Sequence, residues 1–592
     1  MERLSLIDQL VHKVGYAGLP ALNMQGAMVI DPAKAAFEIN AMVIAEHIAA
    51  RLVGFPILRQ KLVQDPLKIG DLRLIDDPDF DVWNHITFDR LPSPGDQRTL
   101  NRHLARFSAE ELDPDRPLWR FEIIEGLEDG KIALVQKLSH ATMDGMTAMK
   151  VMQCLFDMEA KEPSKLEPSD WQPEPAPGKM SLLMGAVKEN AQRFGVKAPK
   201  TMMSLTKSLA KSSAKSVARK ILGEEDDDSE KGGQSNLKAP PTSINQGISR
   251  DKRSITYATY QVSELKRISK ALGCKINDLC LLMSSEALKE YFEGIDEKID
   301  FDLVLVMPID MRGVKEMQRR NGMTLSMVNV HNTIESLPER LKAIHNNTTL
   351  AKSVKSPVTD AGIPEQDIMG MFSPLVVDMA MALLNRIQKW EKLPSPVHAV
   401  MTNVPGPPGT LYFAGMPIEY QIPIIPVFHK AALAIGASSM GNNLSIGFHG
   451  CGRVVKEENL HFLTDGLQRA YKALEKMAAA AARQAASAEV KSNQEATKPA
   501  KAKPETKKPV SPKATTAKQA KAKPAAGSQS SASNKPAASG AKKTAVKKPA
   551  PRPKPAATLN KQQASKSSGA RSAKPKGRVT ASKTATATDN KN

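Results

Sequence analysis

A histidine, an aspartate and a glycine lie close together in the segment SHATMDG, residues 139–145. Near pH 7 a neutral imidazole can take a proton from a hydroxyl group, because the reference pKa of histidine is about 6.5. We predict that His140 acts as such a general base. Asp144 can brace the loop through an ion pair or hydrogen bonds, and Gly145 can allow a backbone shape or an approach that a Cβ atom would prevent.

The chemistry that fits this group is direct transfer to a hydroxyl. No serine or cysteine elsewhere in the sequence has an evident partner that would suggest a covalent intermediate. A hydroxyl activated by His140 would then attack a bound acyl donor directly. The alternative interpretation is that His140 is a structural histidine at the end of a strand.

The flanking residues predict how this group is positioned. A strand is indicated by the apolar residues after the Asp-Gly turn at 129–130, which are Ile132, Leu134 and Val135. After Gly145, apolar residues recur at helical spacing through Phe156. His140 therefore lies at the end of a strand, where rigid structure meets a loop.

The rest of the chain is predicted to form two ordered α/β domains, over 1–160 and 251–480. In the first, residues 32–53 have the pattern of an amphipathic helix, and two later segments alternate like strands. Residues 161–250 mix Pro-rich, basic and acidic stretches, which is typical of a connector. In the second domain, the patterns indicate strands, a helix ending at Gly273 and a closing helix with an apolar stripe.

Residues 481–592 differ sharply from the rest in composition. They contain 26 Lys and Arg against 4 Asp and Glu and no aromatic residue, which leaves 57 basic and 59 acidic residues elsewhere. Such a segment cannot bury enough apolar surface to offset the entropy of ordering it, so we expect a disordered basic tail. Its lysines predict non-specific binding to the phosphates of DNA, or to an anionic membrane, and the alternative is a solubilising tail without a partner.

Several classes of protein are disfavoured by the sequence. The N-terminal segment lacks the features of a signal peptide, and the longest apolar stretch, 369–384, is interrupted by Pro374 and Asp378. The four cysteines form no CxxC pair, which fits a reducing compartment. We therefore expect a cytoplasmic protein, soluble or peripheral to the inner membrane or to lipid inclusions, without a metal site.

Four further segments, in this order and spacing, indicate a family. Together with SHATMDG, the segments at 113–127, 275–288, 306–313 and 402–415 resemble the bacterial wax ester synthase/diacylglycerol acyltransferase family. The resemblance covers residues 4–480 and does not include the tail. It implies the fold of CoA-dependent acyltransferases, an α/β fold with two related chloramphenicol-acetyltransferase-like domains and a tunnel between them.

The resemblance also implies an activity, transfer of a fatty acyl group from the co-substrate acyl-CoA to a long-chain alcohol or diacylglycerol, without a cofactor. His140 corresponds to the general base and Asp144 to the structural acid of the family motif. The other matching positions are Gly145 in the same motif, Pro117, Leu118 and Trp119 in the Pro-Leu-Trp motif, Asn277 and Asp278 in the Asn-Asp motif, and Asn403, Pro405 and Gly406 in the Asn-Val-Pro-Gly-Pro motif.

One position departs from the family. Where the family usually has two histidines, Ser139 replaces the first. Because the wider superfamily requires only the second histidine, the resemblance implies that activity is retained.

Alternative roles exist for individual residues. Trp119 can be a packing residue at the tunnel wall, and Asn277 can either cap the helix that it opens or stabilise a developing oxyanion. Arg312 could pair with Asp144, and we interpret His449 as structural.

Residues 201–223 carry Lys207, Lys211, Lys215 and Arg219 every four residues, beside an interrupted apolar face. Such a helix can lie on anionic lipid, and the alternative is a solvated connector.

Two other functions compete with neutral-lipid synthesis. The first is a superfamily acyltransferase that uses a different acyl donor. The second is a non-enzymatic protein that tethers lipid inclusions to DNA through the tail.

Overall fold

The computed structural model describes residues 2–5, 8–9, 11–12, 21–143, 145–192, 240–310, 323–351, 397–407 and 409–496. Some positions singled out in the sequence lie outside the described residues: Asp144, Arg312, the basic stretch 201–223, the apolar run 369–384 and the tail from 497 onwards.

The first six-stranded sheet is built around β7. Its strands are β2 (Asn23–Ile30), β5 (Ile86–Arg90), β6 (Trp119–Glu125), β7 (Ile132–Ser139), β12 (Tyr412–Phe413) and β13 (Met416–Ile424). The order across the sheet is β12-β13-β2-β7-β6-β5, and only the β5–β6 pair is parallel. The strand predicted before the motif is thus a central one, with all eight residues buried.

The second six-stranded sheet is formed by the later part of the chain. Its strands are β8 (Arg253–Gln261), β9 (Val304–Asp310), β10 (Met323–Asn329), β11 (Ala399–Val404), β14 (Leu433–Met440) and β15 (Asn443–Cys451). They are arranged β10-β9-β11-β14-β15-β8, with β11 parallel to both of its neighbours. A small sheet, ordered β1-β4-β3, contains β1 (Glu2–Arg3), β3 (Gln60–Val63) and β4 (Arg73–Asp76).

Eight α-helices of the described residues surround these sheets. They are α1 (Ala41–Leu52), α2 (Gln97–Ala109), α3 (Gly145–Cys154), α4 (Lys179–Gln192), α5 (Val262–Leu272), α6 (Ile276–Gly294), α7 (Leu337–Ala351) and α8 (Leu460–Ala496). The helix predicted from residue 32 begins only at Ala41, where Asn40 accepts a hydrogen bond from the Val43 N–H. The predicted end of α5 at Gly273 is confirmed, and this residue has φ 65°.

The first sheet packs on both faces, which explains why β7 is apolar throughout. One face contacts α1 and α3 through residues such as Ile48, Leu134 and Val151. The opposite face contacts α2 and β8 through residues such as Leu104 and Val135. In the later part of the chain, α6 and α8 contribute to one buried apolar cluster with the second sheet.

The two halves of the sequence do not correspond to two separate sheets. β12 and β13 come from the later half, yet β13 pairs with β2 in the first sheet, with Gln421 opposite Met28. Within the predicted connector, α4 packs against the first half: Arg73 pairs with Glu189, and the amide of Asn190 donates to Ile69 O at 2.9 Å. Domain boundaries read along the sequence therefore differ from the boundaries of the sheets.

The closing helix extends beyond the predicted boundary at 480. α8 continues to Ala496, so residues 481–496 are helical and not part of a disordered tail. This extension contains Ala481, Ala482, Ala485 and Ala486 and lacks proline, and alanine has the highest helix propensity. The first proline after it is Pro499, which cannot continue a helix.

Among the described residues, we find no helix that is both long and apolar enough to cross a membrane.

Candidate active site

β7 delivers Ser139 and His140 to the end of the first sheet. Ser139 is paired with Asn23 of β2, and the His140 N–H donates to Leu22 O at 3.0 Å. The chain then turns, since the N–H groups of Thr142 and Met143 both donate to Ser139 O. α3 follows directly from Gly145, so the backbone of His140 is held between a central strand and a helix.

Ser139 has a structural contact of its own. Its side chain is buried, and its Oγ accepts a hydrogen bond from the Ala141 N–H at 3.3 Å. A small cavity lies beside it, lined in part by Asn23, Leu112 and Leu118. Ser139 thus stabilises the turn after β7 and leaves space where a larger side chain would lie.

The backbone conformation at Gly145 does not by itself require glycine. Its φ is not positive, and a Cβ atom would meet no described atom within 4 Å. The role predicted for Gly145 in the approach of a substrate stays a prediction.

The Pro-Leu-Trp motif packs within the core. Pro117, Leu118 and Trp119 are all buried. The indole Nε1–H of Trp119 donates to Leu58 O at 2.7 Å, and its ring stacks on His85 with a centroid distance of 4.3 Å. The geometry agrees with the packing interpretation of Trp119, and this contact joins β6 to the segment before β3.

Asp278, and not Asn277, caps the start of α6. The buried Asp278 carboxylate accepts from the Lys275 N–H at 3.0 Å and from the Thr348 hydroxyl at 2.9 Å, and it contacts His345 Nδ1 at 2.7 Å. These contacts fix the first turn of α6 against α7. Asn277 therefore does not cap this helix, and its side-chain amide contacts Asn403 instead.

The Asn-Asp and Asn-Val-Pro-Gly-Pro motifs meet in space. Asn403, near the end of β11, donates from Nδ2 to Asn277 Oδ1 at 3.1 Å. A few residues on, the Gly406 N–H donates to Ser439 Oγ at 2.9 Å. A Cβ atom on Gly406 would lie 1.8 Å from Ser439 O, so this close approach requires glycine, whereas Pro405 is exposed.

Three of the four described thiols are poorly suited to act as an alternative nucleophile. All four cysteines are free, and burial raises the pKa of Cys154 and of Cys274 to about 11 and that of Cys280 to about 12. These three thiols are therefore protonated near neutral pH, whereas thiol chemistry needs the thiolate.

One group of side chains has the spacing of a metal site. Asp89, His103 and Glu122 have ligand atoms within 4.8 Å of one another. Each carboxylate, however, is paired with an arginine, Asp89 with Arg106 and Glu122 with Arg120, and His103 Nε2 contacts Glu122 at 2.6 Å. This group is already a complete ion-pair network.

His449 is structural, as we interpreted it from the sequence. It is buried on β15, its Nδ1 contacts Ile425 O at 2.6 Å, and its Nε2 contacts Ser108 Oγ at 3.1 Å. Since a carbonyl can only accept, Nδ1 carries the proton and Nε2 accepts from the serine. Burial, assisted by the nearby charge of Arg253, lowers the pKa of His449 to about 3.

The low pKa of His449 predicts acid sensitivity. Between pH of about 3 and about 6.5 the unfolded chain binds a proton here and the folded chain does not, so the free energy of unfolding falls as the pH drops below about 6.5. From pH 7 to 5 the loss due to this residue is about 2 kcal/mol. Urea unfolding at both pH values should show a loss that is smaller by that amount in His449→Gln. An equal loss in both proteins would contradict this account.

Comparison with known families agrees with this arrangement. The model of the wax ester synthase/diacylglycerol acyltransferase catalytic domain matches residues 4–280, and that of the WS/DGAT C-terminal domain matches residues 320–475. The matched segments contain the His140, Asn277 and Asn403 motifs described above.

Individual proteins give the same result. "Putative diacyglycerol O-acyltransferase Rv3740c" of Mycobacterium tuberculosis is 27% identical over 64% of this chain and 79% of its own length. A second protein of that organism, "Putative diacyglycerol O-acyltransferase Rv1760", is 24% identical over 71% of this chain and 79% of its own. The solved wax ester synthase/diacylglycerol acyltransferase from Marinobacter aquaeolei VT8 has a similar fold, with a TM-score of 0.54, 20% identity and coverage of 80% of this chain and 100% of that one. This chain belongs to the wax ester synthase/diacylglycerol acyltransferase family of acyltransferases.

Proposed function

We propose that this protein transfers a fatty acyl group from acyl-CoA to the hydroxyl of a long-chain alcohol or a diacylglycerol. The observation that carries the proposal is the position of His140, whose backbone is held by Leu22 at the end of β7, directly before α3. A base in a fixed position is the requirement for removing a proton from a weakly acidic hydroxyl. The half-buried side chain of His140 leaves it accessible to a substrate.

The reaction needs one base and no covalent intermediate on the protein. Neutral His140 takes the proton of the acceptor hydroxyl while the oxygen attacks the thioester carbonyl. The tetrahedral intermediate then collapses, the C–S bond breaks, and the CoA thiolate leaves and takes the proton back from the imidazolium. The products are an ester and free CoA, and His140 is neutral again.

The developing oxyanion needs a hydrogen-bond donor, and we assign this role to the Asn277 side chain. Its Oδ1 accepts from Asn403, which orients the amide, so that its Nδ2 is available as a donor. Asn277 also lies in the first turn of α6, where the helix dipole favours negative charge. An oriented donor of this kind lowers the barrier because it need not reorganise during the reaction.

An assay of the purified chain tests the proposal. The protein is incubated with palmitoyl-CoA and either hexadecanol or dioleoylglycerol, and the lipids are separated by thin-layer chromatography. We expect a wax ester with the first acceptor, triacylglycerol with the second, or both. Absence of both products, while thiol release from palmitoyl-CoA is also absent, would refute the proposal.

The replacement of the first family histidine by Ser139 should have little effect on the rate. We expect Ser139→His to change kcat by less than about tenfold, roughly 1.4 kcal/mol of barrier, because only His140 takes the proton. The added imidazole would occupy the cavity beside Asn23 and Leu118. Initial rates of CoA release measure the effect, with Ser139→Ala as the control for loss of the hydroxyl. A gain of several hundredfold would show that Ser139 disables the native site.

A further inference from the structure

A second helix holds the carboxylate that follows Asn277 in the chain. Asp278 is only 1% exposed, and one of its contacts belongs to the cap of α6, where it accepts from the Lys275 N–H. Two more contacts come from α7. His345 Nδ1 contacts Asp278 Oδ2 at 2.7 Å, and the Thr348 hydroxyl donates to Oδ1 at 2.9 Å. Each oxygen of the carboxylate is thus tied to α7.

The contact between Asp278 and His345 involves a charged group. A buried carboxylate needs partners, and in the described part of the chain His345 is the only basic side chain within 4 Å of it. An ionised carboxylate can only accept, so His345 Nδ1 carries a proton and donates it. Hydrogen bonds to an ionised acceptor are shorter and stronger than neutral ones, which agrees with the distance of 2.7 Å. Without this donor, α6 would be held less firmly against α7.

The Asn277 amide is therefore held from two sides. Its backbone lies in the first turn of α6, directly before Asp278, and α7 anchors that turn through the carboxylate. Its side chain is oriented by Asn403 of β11, whose Nδ2 donates to Asn277 Oδ1 at 3.1 Å. A hydrogen-bond donor lowers a barrier most when it is in place before negative charge develops. The anchor on the backbone is thus relevant to the reaction, although it lies one residue away from the donor.

We propose that His345 is a positioning residue for acyl transfer, which together with Thr348 holds Asp278 and so keeps the Asn277 amide in place for the developing oxyanion. This inference rests on the proposed function, in which Asn277 is the oxyanion donor. Neither side chain of α7 touches the substrate in this account, so each acts only through Asp278. An interaction that is made only in the transition state changes kcat and kcat/KM by the same factor and leaves KM unchanged.

The first test is His345→Ala, assayed by CoA release from palmitoyl-CoA with the acceptor that the native chain uses. We expect kcat to fall by at least about tenfold, because a small misplacement of a catalytic group is costly, while KM stays within about twofold of the native value. Removal of an oxyanion donor costs about 10² to 10³ in kcat, which is the upper limit for a residue that acts through it. In His345→Asn the side-chain amide can donate in place of Nδ1, so this variant should recover most of the lost rate.

A double-mutant cycle distinguishes positioning of Asn277 from a general effect on the fold. In Asn277→Ala the donor is absent, so adding His345→Ala to that variant should lower kcat by less than about twofold. A further loss of about tenfold in that background would show that His345 acts independently of Asn277, and it would overturn the proposal. A native kcat in Asn277→Ala alone would overturn it as well, since no oxyanion donor would then be lost.

Two neighbouring threonines of α7 form a matched pair of variants. The hydroxyls of Thr348 and Thr349 contact His345 O at 3.0 Å and 2.9 Å, but among the described contacts only that of Thr348 also reaches Asp278. We expect Thr348→Ala to lower kcat by about fivefold, the effect of about one hydrogen bond, and Thr349→Ala to keep the native value. Thermal unfolding identifies any variant that does not fold, and if His345→Ala is one of them the threonine pair decides.

The outcomes separate this inference from the proposed function. If the native chain forms an ester while the folded His345→Ala and Thr348→Ala variants keep the native kcat, the positioning role is overturned and the proposed function stands. A rise in KM without a loss of kcat would overturn it in the same way. If the native chain forms no ester with either hexadecanol or dioleoylglycerol, the proposed function fails and the positioning role with it.

Discussion

His140→Ala is expected to lower kcat for ester formation by about 10² to 10⁴ without unfolding the protein. A positioned general base contributes a factor of this size, because without it the hydroxyl must lose its proton to water during attack. The fold should persist, since the hydrogen bond that His140 makes to Leu22 comes from its backbone N–H, which alanine retains. Initial rates with palmitoyl-CoA at saturating acceptor measure the effect.

Thr142→Ala is the matched control, because Thr142 lies in the same turn and is half-buried like His140. Among the described residues its hydroxyl contacts only the Ser139 carbonyl, at 3.3 Å, so its loss should change the rate by less than about tenfold. If His140→Ala retained half of the native kcat, His140 would have no part in the proton transfer. A similar loss in both variants would indicate distortion of the turn.

Trp119→Ala is expected to reduce the free energy of unfolding by about 3 to 5 kcal/mol, the cost of truncating a large buried aromatic side chain. Trp119 is 2% exposed, and its ring packs between His85 and Phe121. The change also leaves the Leu58 carbonyl without the indole N–H that it accepts at 2.7 Å. Urea unfolding followed by circular dichroism measures the loss.

Trp119→Phe separates the two contributions. This variant keeps an aromatic ring against His85 and removes the donor to Leu58, so it should lose about 1 to 3 kcal/mol. If Trp119→Ala retained native stability but lost activity, Trp119 would act on the substrate and not on the packing. Equal losses in the two variants would assign the whole effect to the hydrogen bond.

Much of the local structure follows from the sequence itself. The Asp-Gly turn before β7, the helix after Gly145 and the end of α5 at Gly273 are encoded within a few neighbouring residues, by turn chemistry and apolar spacing. The order of the motifs likewise predicted the family that the comparison confirmed. The prediction was less accurate for residues 481–496, which were assigned to the disordered tail. These residues are helical, because the high helix propensity of their alanines outweighs the tail-like charge pattern.

The motifs in the sequence predicted which residues belong to the candidate site, whereas the contacts between distant motifs become visible only in the folded chain. The contact of Asn403 with Asn277 joins residues more than a hundred positions apart, and the passage of β13 into the first sheet joins strands from opposite halves of the chain. No periodicity encodes these distances, because apolar spacing specifies which face of an element is buried and not which distant element covers it. Strand partners are selected by the packing of whole sheets, which depends on residues from both halves of the chain at once.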